Sequence, residues 1–183
     1  AWEFKLGYEH RMANDKGVVE AQVFFNDIED HIDNIRVTNT SSAAGNIGNA
    51  ENYGLTLKGS LRLANIGIEG AVLDASYTVQ DSETTDPFTG RSREMSDKQR
   101  QEYKINFRHD IAAWRFNYNV EVEWNGKRYG NDINYREYST SVNPRTHVGM
   151  QYRLTDRIVL WFDTRIVFDG HTRRIRDRYD GNV

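Results

Sequence analysis

The stretch Phe116–Asn125 reads FNYNVEVEWN, and its residues alternate between apolar and polar at every position. Phe, Tyr, Val, Val and Trp occupy the even positions, and Asn or Glu occupies each odd one. An amphipathic helix repeats its apolar residues every three or four positions, whereas a strand with one apolar face repeats them every two. The stretch therefore predicts a β-strand with one apolar and one polar face.

The same period of two recurs along the chain. Segments beginning at Trp2, Tyr53 and Tyr103 alternate in the same way, and their second face contains only polar residues or glycine. Their apolar face is interrupted only by His10, Gly59 and His109. Four further segments alternate less regularly. Together the pattern predicts eight strands, at residues 2–12, 18–28, 52–63, 68–80, 102–111, 115–125, 146–154 and 158–169.

The composition narrows the class of protein. The chain has 183 residues, 12% aromatic residues, two prolines and no cysteine. This favours a single β-rich unit and excludes disulfides and thiolate metal sites. Its net charge of −3 gives no reason to expect a nucleic-acid partner. The mean hydropathy of −0.78 does not exclude a membrane barrel, because the polar face of each strand offsets the apolar one.

The predicted connections alternate in length. Short turns are predicted at residues 13–17, 64–67, 112–114 and 155–156, and long polar loops at 34–51, 81–100 and 126–144. Transmembrane barrels combine short periplasmic turns with long extracellular loops. The predicted fold class is therefore all-β: an antiparallel up-and-down transmembrane β-barrel segment of about eight strands. With the short turns in the periplasm, both termini would lie outside the cell, which favours part of a barrel over a whole one.

Alternation alone does not determine which way the apolar face points. A soluble lipocalin-like β-barrel would turn it inward around one small apolar ligand. Three features favour an outward face in contact with lipid: apolar residues on all eight strands, charges of both signs on the polar face, and aromatic residues near the strand ends. The soluble barrel stays open as an alternative at this point.

Several stretches, taken in order, resemble TonB-dependent outer-membrane receptors. They are residues 3–11, 24–28 (FFNDI), 48–57 (GNAENYGLTL), 85–91 (TDPFTGR), 107–110 (FRHD) and 178–181 (RYDG). The resemblance implies a receptor in the bacterial outer membrane for TonB-energised uptake of a siderophore, glycan or similar solute. It implies that residues 1–183 are the C-terminal part of the barrel domain, without plug or final strand. Contact with TonB would then occur only through a plug domain absent from this chain.

Candidate sites are sparse in the sequence. The acidic run Asp27, Glu29, Asp30 and Asp33 lacks the spacing of a calcium loop. The histidines have no partners at the spacing of a triad or zinc site, so we predict no enzyme activity, no metal and no cofactor. The basic cluster Arg173, Arg174, Arg176 and Arg178 is expected in an extracellular loop. Outer-membrane lipid or lipopolysaccharide is the expected partner of the barrel, and lipopolysaccharide phosphate is the best functional candidate for this cluster.

Substrate-binding residues are expected in the long loops, where Tyr and Arg combine apolar bulk with directional hydrogen bonds. The predicted set spans two loops. It consists of Arg91, Arg93, Arg128, Tyr129, Asn131, Tyr135, Arg136 and Tyr138.

Overall fold

The computed structural model describes residues 1–38, 40–165 and 171–178. Over these residues the chain forms fourteen strands and three short 3-10 turns. The strands are β1 Trp2–Arg11, β2 Gly17–Ile28, β3 Ile32–Arg36, β4 Ser42–Asn46, β5 Ala50–Arg62, β6 Ala71–Thr85, β7 Ser92–Arg93, β8 Gln101–Ile111, β9 Phe116–Asn125, β10 Arg128–Asn131, β11 Tyr135–Ser141, β12 Arg145–Arg153, β13 Val159–Arg165 and β14 Thr172–Arg178.

Eight of these strands form the main sheet, in the order β1-β2-β5-β6-β8-β9-β12-β13, with the short β7 paired to β6. Every pair in it is antiparallel. The prediction of an all-β, antiparallel, up-and-down arrangement of eight strands is therefore confirmed. β6 begins at Ala71, later than predicted, and continues to Thr85. Residues 166–169 of the predicted eighth strand lie outside the described residues.

The register of the main sheet places most apolar residues of all eight strands on one face. One row contains Tyr8, Ala21, Leu57, Tyr77, Tyr103 and Trp124. A row on the opposite face contains Glu20, Lys58, Ser76, Lys104, Glu123 and Arg145. A slip of one residue in any pair would exchange the two faces of a strand. We call these two surfaces the apolar face and the polar face.

The main sheet is a single layer with open edges. Among the described residues, β1 pairs only with β2 and β13 pairs only with β12, so these strands form no closed barrel. Large apolar side chains are correspondingly exposed. Leu6 on β1 is 62% exposed and Phe162 on β13 is 56% exposed. The prediction of a sheet is right, and no barrel closure occurs within this part of the chain.

Depressions in the main sheet lie on its polar face. One of about 360 Å³ is lined mainly by polar-face residues that include Glu20, Lys58 and Lys104. A second of about 360 Å³ lies beside Glu121 and His147. A third of about 300 Å³ is lined by Asn117, Gln151, Arg153 and their neighbours. From their position we infer that the sheet curves toward its polar face, which makes the polar face concave and the apolar face convex.

The short connections are compact turns, as predicted. Three contain 3-10 turns, at Ala13–Asp15, Leu63–Ile66 and Ala112–Trp114. Gly67 ends the second one in a left-handed conformation with φ of 89°, which favours glycine. In the fourth, Thr155 Oγ1 accepts hydrogen bonds from the Arg157 and Ile158 amides. None of the helical segments in the described chain is long and apolar enough to cross a membrane.

The long connections are more ordered than predicted. β3 and β4 pair as a hairpin within the first, and β7 lies in the second. β10 and β11 lie in the third, where β10 pairs with β11 and β11 pairs with β14. The prediction of long polar loops at 34–51, 81–100 and 126–144 is wrong in this respect. β10, β11 and β14 carry polar residues on both faces, so they lack the alternation that identifies a strand in the sequence.

Phe24 and Gly54 provide a test of the register. Phe24 stands on the polar face directly opposite Gly54 of β5. A Cβ at position 54 would meet the Val79 carbonyl oxygen and lie 2.7 Å from Phe24 Cζ. A Cβ at Gly59, on the same strand, would have only the Val18 carbonyl oxygen nearby, at 3.9 Å.

We therefore expect Gly54→Ala to lower the free energy of unfolding by about 1–3 kcal/mol, because overpacking displaces neighbours. Gly59→Ala is the matched control and should be neutral or slightly stabilising. Denaturant unfolding of the whole chain in detergent, followed by tryptophan fluorescence, measures both. Equal effects of the two substitutions would contradict the described register.

Candidate functional site

The three long connections fold together at one end of the main sheet. We call this the loop module, and it comprises β3, β4, β7, β10, β11 and β14 with the described segments that join them. Most of the buried residues lie in it or at its junction with the sheet. They include Asp33, Ala50, Asn52, Ser82, Thr84, Asp86, Arg93, Met95, Asn131 and Ile133.

Arg93 connects two of the long connections through buried ion pairs. Its Nη2 lies 2.9 Å from Asp33 Oδ2, and its Nε lies 2.8 Å from Asp86 Oδ2. Its Nη1 donates to the Glu94 carbonyl oxygen at 3.0 Å. All three side chains of these ion pairs are buried. A buried guanidinium needs such partners, because an uncompensated charge in the interior is strongly destabilising.

Local hydrogen bonds hold both carboxylates in place. Asp86 Oδ1 accepts from the Phe88 and Thr89 amides, at 2.7 and 2.9 Å, in a turn that the Asp-Pro sequence favours. Asp33 Oδ1 accepts from the Asn34 amide at 2.8 Å. Burial acts to raise the pKa of Asp33, but hydrogen bonds from Ser96, the Asn34 amide and Arg93 outweigh it, so the pKa lies below its usual value. Asp33 is therefore ionised at neutral pH and balances the charge of Arg93.

Further hydrogen bonds join all three connections. The Asn34 side chain donates to the Asn131 carbonyl oxygen at 2.7 Å, which joins the first connection to the third. Asn131 Nδ2 donates to Ser96 Oγ at 3.2 Å, which joins the third to the second. The Met95 amide donates to Ser82 Oγ at 3.1 Å and ties the module to β6. The module is thus one packed unit rather than three independent loops.

Two of the predicted substrate-binding residues lie inside this unit. Arg93 is 8% exposed and Asn131 is 4% exposed. Their polar groups make the contacts described above, although Asn131 Oδ1 has no hydrogen-bond partner among the described residues. These contacts assign Arg93 a structural role, and we do not retain it as a binding residue. Arg91, two positions earlier, is exposed at the surface.

Three predicted residues form an aromatic and cationic cluster on one face of the β10-β11-β14 sheet. The rings of Tyr129 and Tyr138 lie 6.0 Å apart between their centroids. The Arg136 guanidinium lies 4.4 Å from the centre of the Tyr129 ring, and Lys127 Nζ lies 5.1 Å from that of Tyr138. Cations at these distances are attracted to the ring face. Arg128 and Tyr135 point to the other face of the same sheet, because strand neighbours alternate.

A cavity of about 860 Å³ lies at the junction between the main sheet and the loop module. Residues from both faces line it, with Phe24, Gly54 and Gln80 from the polar face and Tyr53, Leu55 and Trp124 from the apolar face. The Arg100, Lys127 and Thr140 side chains border it from the module. Its volume and its mixture of rings with a few polar groups are typical of small-molecule sites.

The cations around this cavity differ in their pairing. Arg100 lies 3.0 Å from Asp81 and 3.6 Å from Glu94. Lys127 forms no ion pair with any residue in the described ranges. Burial raises the pKa of Glu94, while the nearby charges of Arg100, Arg136 and Lys127 act to lower it. Three cations therefore surround one half-buried carboxyl group beside the cavity.

Phe24, Arg100 and Lys127 were missing from the predicted set. Phe24 could have been recognised from the sequence, since it is a large apolar residue at a polar position of the second predicted strand. Arg100 and Lys127 lie at the edges of long connections and carry no comparable signal. Their proximity depends on how β8 and β10 extend beyond the main sheet.

The other candidate groups have partners within the chain. In the acidic run, Asp30 accepts from Asn46 at 2.6 Å and Glu29 lies 3.4 Å from the N-terminal amine. No group of three or more metal-ligating side chains converges in the described part of the chain. On the polar face, Glu121 pairs with Lys104 at 2.8 Å and Glu123 with Arg145 at 3.0 Å.

Comparisons with known proteins identify no relative. No protein-family model matches the chain, no curated protein is similar to it, and no solved structure matches it. The resemblance to TonB-dependent receptors therefore stays a prediction from the sequence.

Replacing Arg93 tests the structural role that its contacts give it. Arg93→Met leaves Asp33 and Asp86 without their cation, and breaking a buried ion pair costs about 3–5 kcal/mol. We expect amides of the loop module to lose hydrogen-exchange protection, while those of β8 and β9 keep it. Arg91→Met removes the same charge from the surface two residues away and should change protection little. Unchanged protection in Arg93→Met would contradict this role.

Proposed function

We propose that this chain forms part of the wall of an outer-membrane receptor barrel of the TonB-dependent kind. Its loop module would capture a solute at the outer surface. The observation that carries the proposal is the continuous, exposed apolar face shared by all eight strands of the main sheet.

The size of the apolar face favours lipid as its partner. Eight strands spaced about 4.8 Å apart span roughly 38 Å, and an apolar band about 25 Å tall then covers on the order of 950 Å². The largest apolar patch of a typical soluble monomer is about 300–600 Å². A convex surface of this extent is suited to a bilayer rather than to a small ligand.

The curvature of the main sheet distinguishes a lipid-facing barrel wall from a soluble lipocalin-like barrel. A lipocalin-like barrel requires the apolar face to be concave around its ligand. Here the depressions are lined mainly by polar-face residues such as Lys58, Glu121 and Gln151. Ion pairs such as Lys104–Glu121 and Arg108–Asp74 lie on that face, as a hydrated barrel interior allows. This curvature disfavours the lipocalin-like binding module.

The two unpaired edges of the sheet favour a barrel with more strands than these eight. β1 and β13 each leave one side without a partner strand in the described chain. Within lipid, unpaired backbone amide and carbonyl groups each cost several kcal/mol, so both edges require neighbours. Further strands of a larger barrel would supply these neighbours. TonB would act only through a plug domain that these residues do not include.

The cavity beside the loop module is the proposed place of solute capture. The Phe24 ring offers a flat apolar contact on the polar face, and Lys127 and Arg100 offer positive charge. Such a combination suits a solute that bears rings and acidic groups or hydroxyls, as a siderophore or glycan does. Tyr129, Arg136 and Tyr138 would extend this surface into the loop module.

A pair of adjacent substitutions tests the lipid-facing assignment. Leu57 lies in the middle of the apolar face, and Thr56 lies beside it on the polar face. Arg at a lipid-facing midplane costs about 2–4 kcal/mol, whereas Arg in a hydrated interior is tolerated. Leu57→Arg should therefore destabilise the chain in phosphatidylcholine vesicles by about 2–4 kcal/mol, while Thr56→Arg should have a small effect. Reversible unfolding in urea provides the measurement.

Two results would contradict the proposal. The first is a monomeric, folded chain in plain buffer without detergent or lipid, because lipid would then not be needed. The second is an equal cost for Leu57→Arg and Thr56→Arg in vesicles.

A further inference from the structure

β10 continues the main sheet without a change of register. Glu102 pairs with Asn125 in the β8-β9 ladder, and three residues further along each strand Gln99 bridges Arg128. The Arg100 amide donates to the Lys127 carbonyl oxygen at 2.9 Å between these points. Because strand side chains alternate, Arg128 lies on the same face as Trp124, which is the apolar face.

The pairing of β11 and β14 carries this face across three strands. Arg128 is opposite Ser139, which is opposite Arg174. Glu137 is opposite Arg176, and Tyr135 is opposite Arg178. Arg128, Arg174, Arg176 and Arg178 therefore project from the same side of the wall as the apolar residues, and all four are exposed. Arg173 and Asp177 alternate with them and project from the opposite side.

The height of these arginines above the apolar face follows from strand geometry. Trp124 stacks on Tyr103 with 5.6 Å between ring centroids and ends the apolar row at this level. Arg128 is four residues further on, about 13 Å along the strand. With strands tilted by about 35–45°, it lies roughly 10 Å above Trp124 along the membrane normal. Arg174 is in register with Arg128, whereas Arg176 and Arg178 lie two and four residues further out, roughly 15 and 20 Å above Trp124 by the same geometry. Lipid headgroups occupy about 5–8 Å outside the hydrocarbon core, and Arg128 and Arg174 can reach down to them with their long side chains.

The arginine side chains are held in an ordered array. Glu137 accepts from Arg176 Nε and Nη2, at 2.9 and 2.7 Å, and lies 3.1 Å from Arg174 Nε. The Arg176 guanidinium lies 4.1 Å from the centre of the Tyr135 ring. Asp97 is 3.7 Å from Arg128. Four cations against three carboxylates, the third being Asp132 near Arg176, leave the surface with a net positive charge, while the chain as a whole has a net charge of −3.

We propose that Arg128 and Arg174, the two arginines of this array nearest the apolar face, bind phosphate groups of the membrane lipids that border that face. This inference rests on the proposed function, since it needs the apolar face to contact lipid. Guanidinium groups bind phosphate oxygens through paired hydrogen bonds, and an array of them suits a headgroup with more than one phosphate. Continuity with the apolar face selects lipid over nucleic acid or a free anion, because acyl chains and phosphates of one molecule then meet adjoining parts of one surface.

The opposite end of the same rim has the opposite charge. Asp27, Glu51 and Glu83 are paired across β2, β5 and β6, on the apolar face just beyond Phe25 and Tyr53. Phosphate-bearing headgroups are therefore expected to bind above β9 to β13 and not above β2 to β6. This asymmetry makes the site a defined patch rather than a ring around the wall.

Titration of the whole chain with diphosphoryl lipid A tests the inference. The chain is held in a zwitterionic detergent, and bound lipid is counted by native mass spectrometry. Arg128→Gln combined with Arg174→Gln should weaken binding about tenfold or more, because two charge-assisted contacts are lost. Arg173→Gln removes the same charge from the opposite face of β14 and should change the affinity less than about twofold. Glu137→Gln should strengthen binding, because it releases Arg174 and Arg176 from a competing carboxylate.

The outcomes separate the possibilities. Loss of binding in the double variant, with Arg173→Gln unaffected and Glu137→Gln strengthened, supports the inference. Equal loss in Arg173→Gln, or no loss in the double variant, overturns it and leaves the proposed function standing. Displacement of lipid A by inorganic phosphate at equal concentration also overturns it, because the site would then be one for free phosphate. A monomeric, folded state of the unmodified chain in plain buffer overturns both proposals.

Discussion

The backbone hydrogen-bond register is the constraint on which the rest of this structure depends. Because side chains alternate along a strand, an unbroken ladder keeps most apolar residues of the main sheet on one face and most charges on the other. The ladder between β8 and β9 keeps this order up to Arg128, beyond the last apolar row. On one surface the apolar rows therefore lie below the arginines of β10 and β14, and the reverse surface is mainly polar.

The loop module depends on a second, local constraint. The main sheet is a single layer without large fully buried side chains among the described residues, so it provides no interior on which long loops could pack. The module instead builds a small interior of its own around Arg93, Asp33 and Asp86. A buried ion pair of this kind contributes little net stability compared with an apolar core, but its geometry specifies how the chains around it are arranged.

The sequence predicted the main sheet well because the two faces of each strand meet different surroundings. In the stretch Phe116–Asn125 this difference is visible at every position. β11 and β14 were missed because polar residues, Ser139 and Arg174 among them, occur on both faces of each strand. Arg93 was assigned to ligand binding because an arginine in a polar loop resembles a surface residue. Its burial depends on Asp33, sixty residues away, and no local pattern reveals that pairing.

The direction of the two faces is the central claim, and β9 offers the most direct measurement of it. The chain has no cysteine, so single cysteines at 117–122 can each carry one spin label. In vesicles, collision with oxygen, which dissolves in lipid, should be greatest at Tyr118, Val120 and Val122. Collision with a water-soluble nickel complex should be greatest at Asn117, Asn119 and Glu121. A two-residue period with this phase is the predicted result; the opposite phase, or no alternation, would contradict the account.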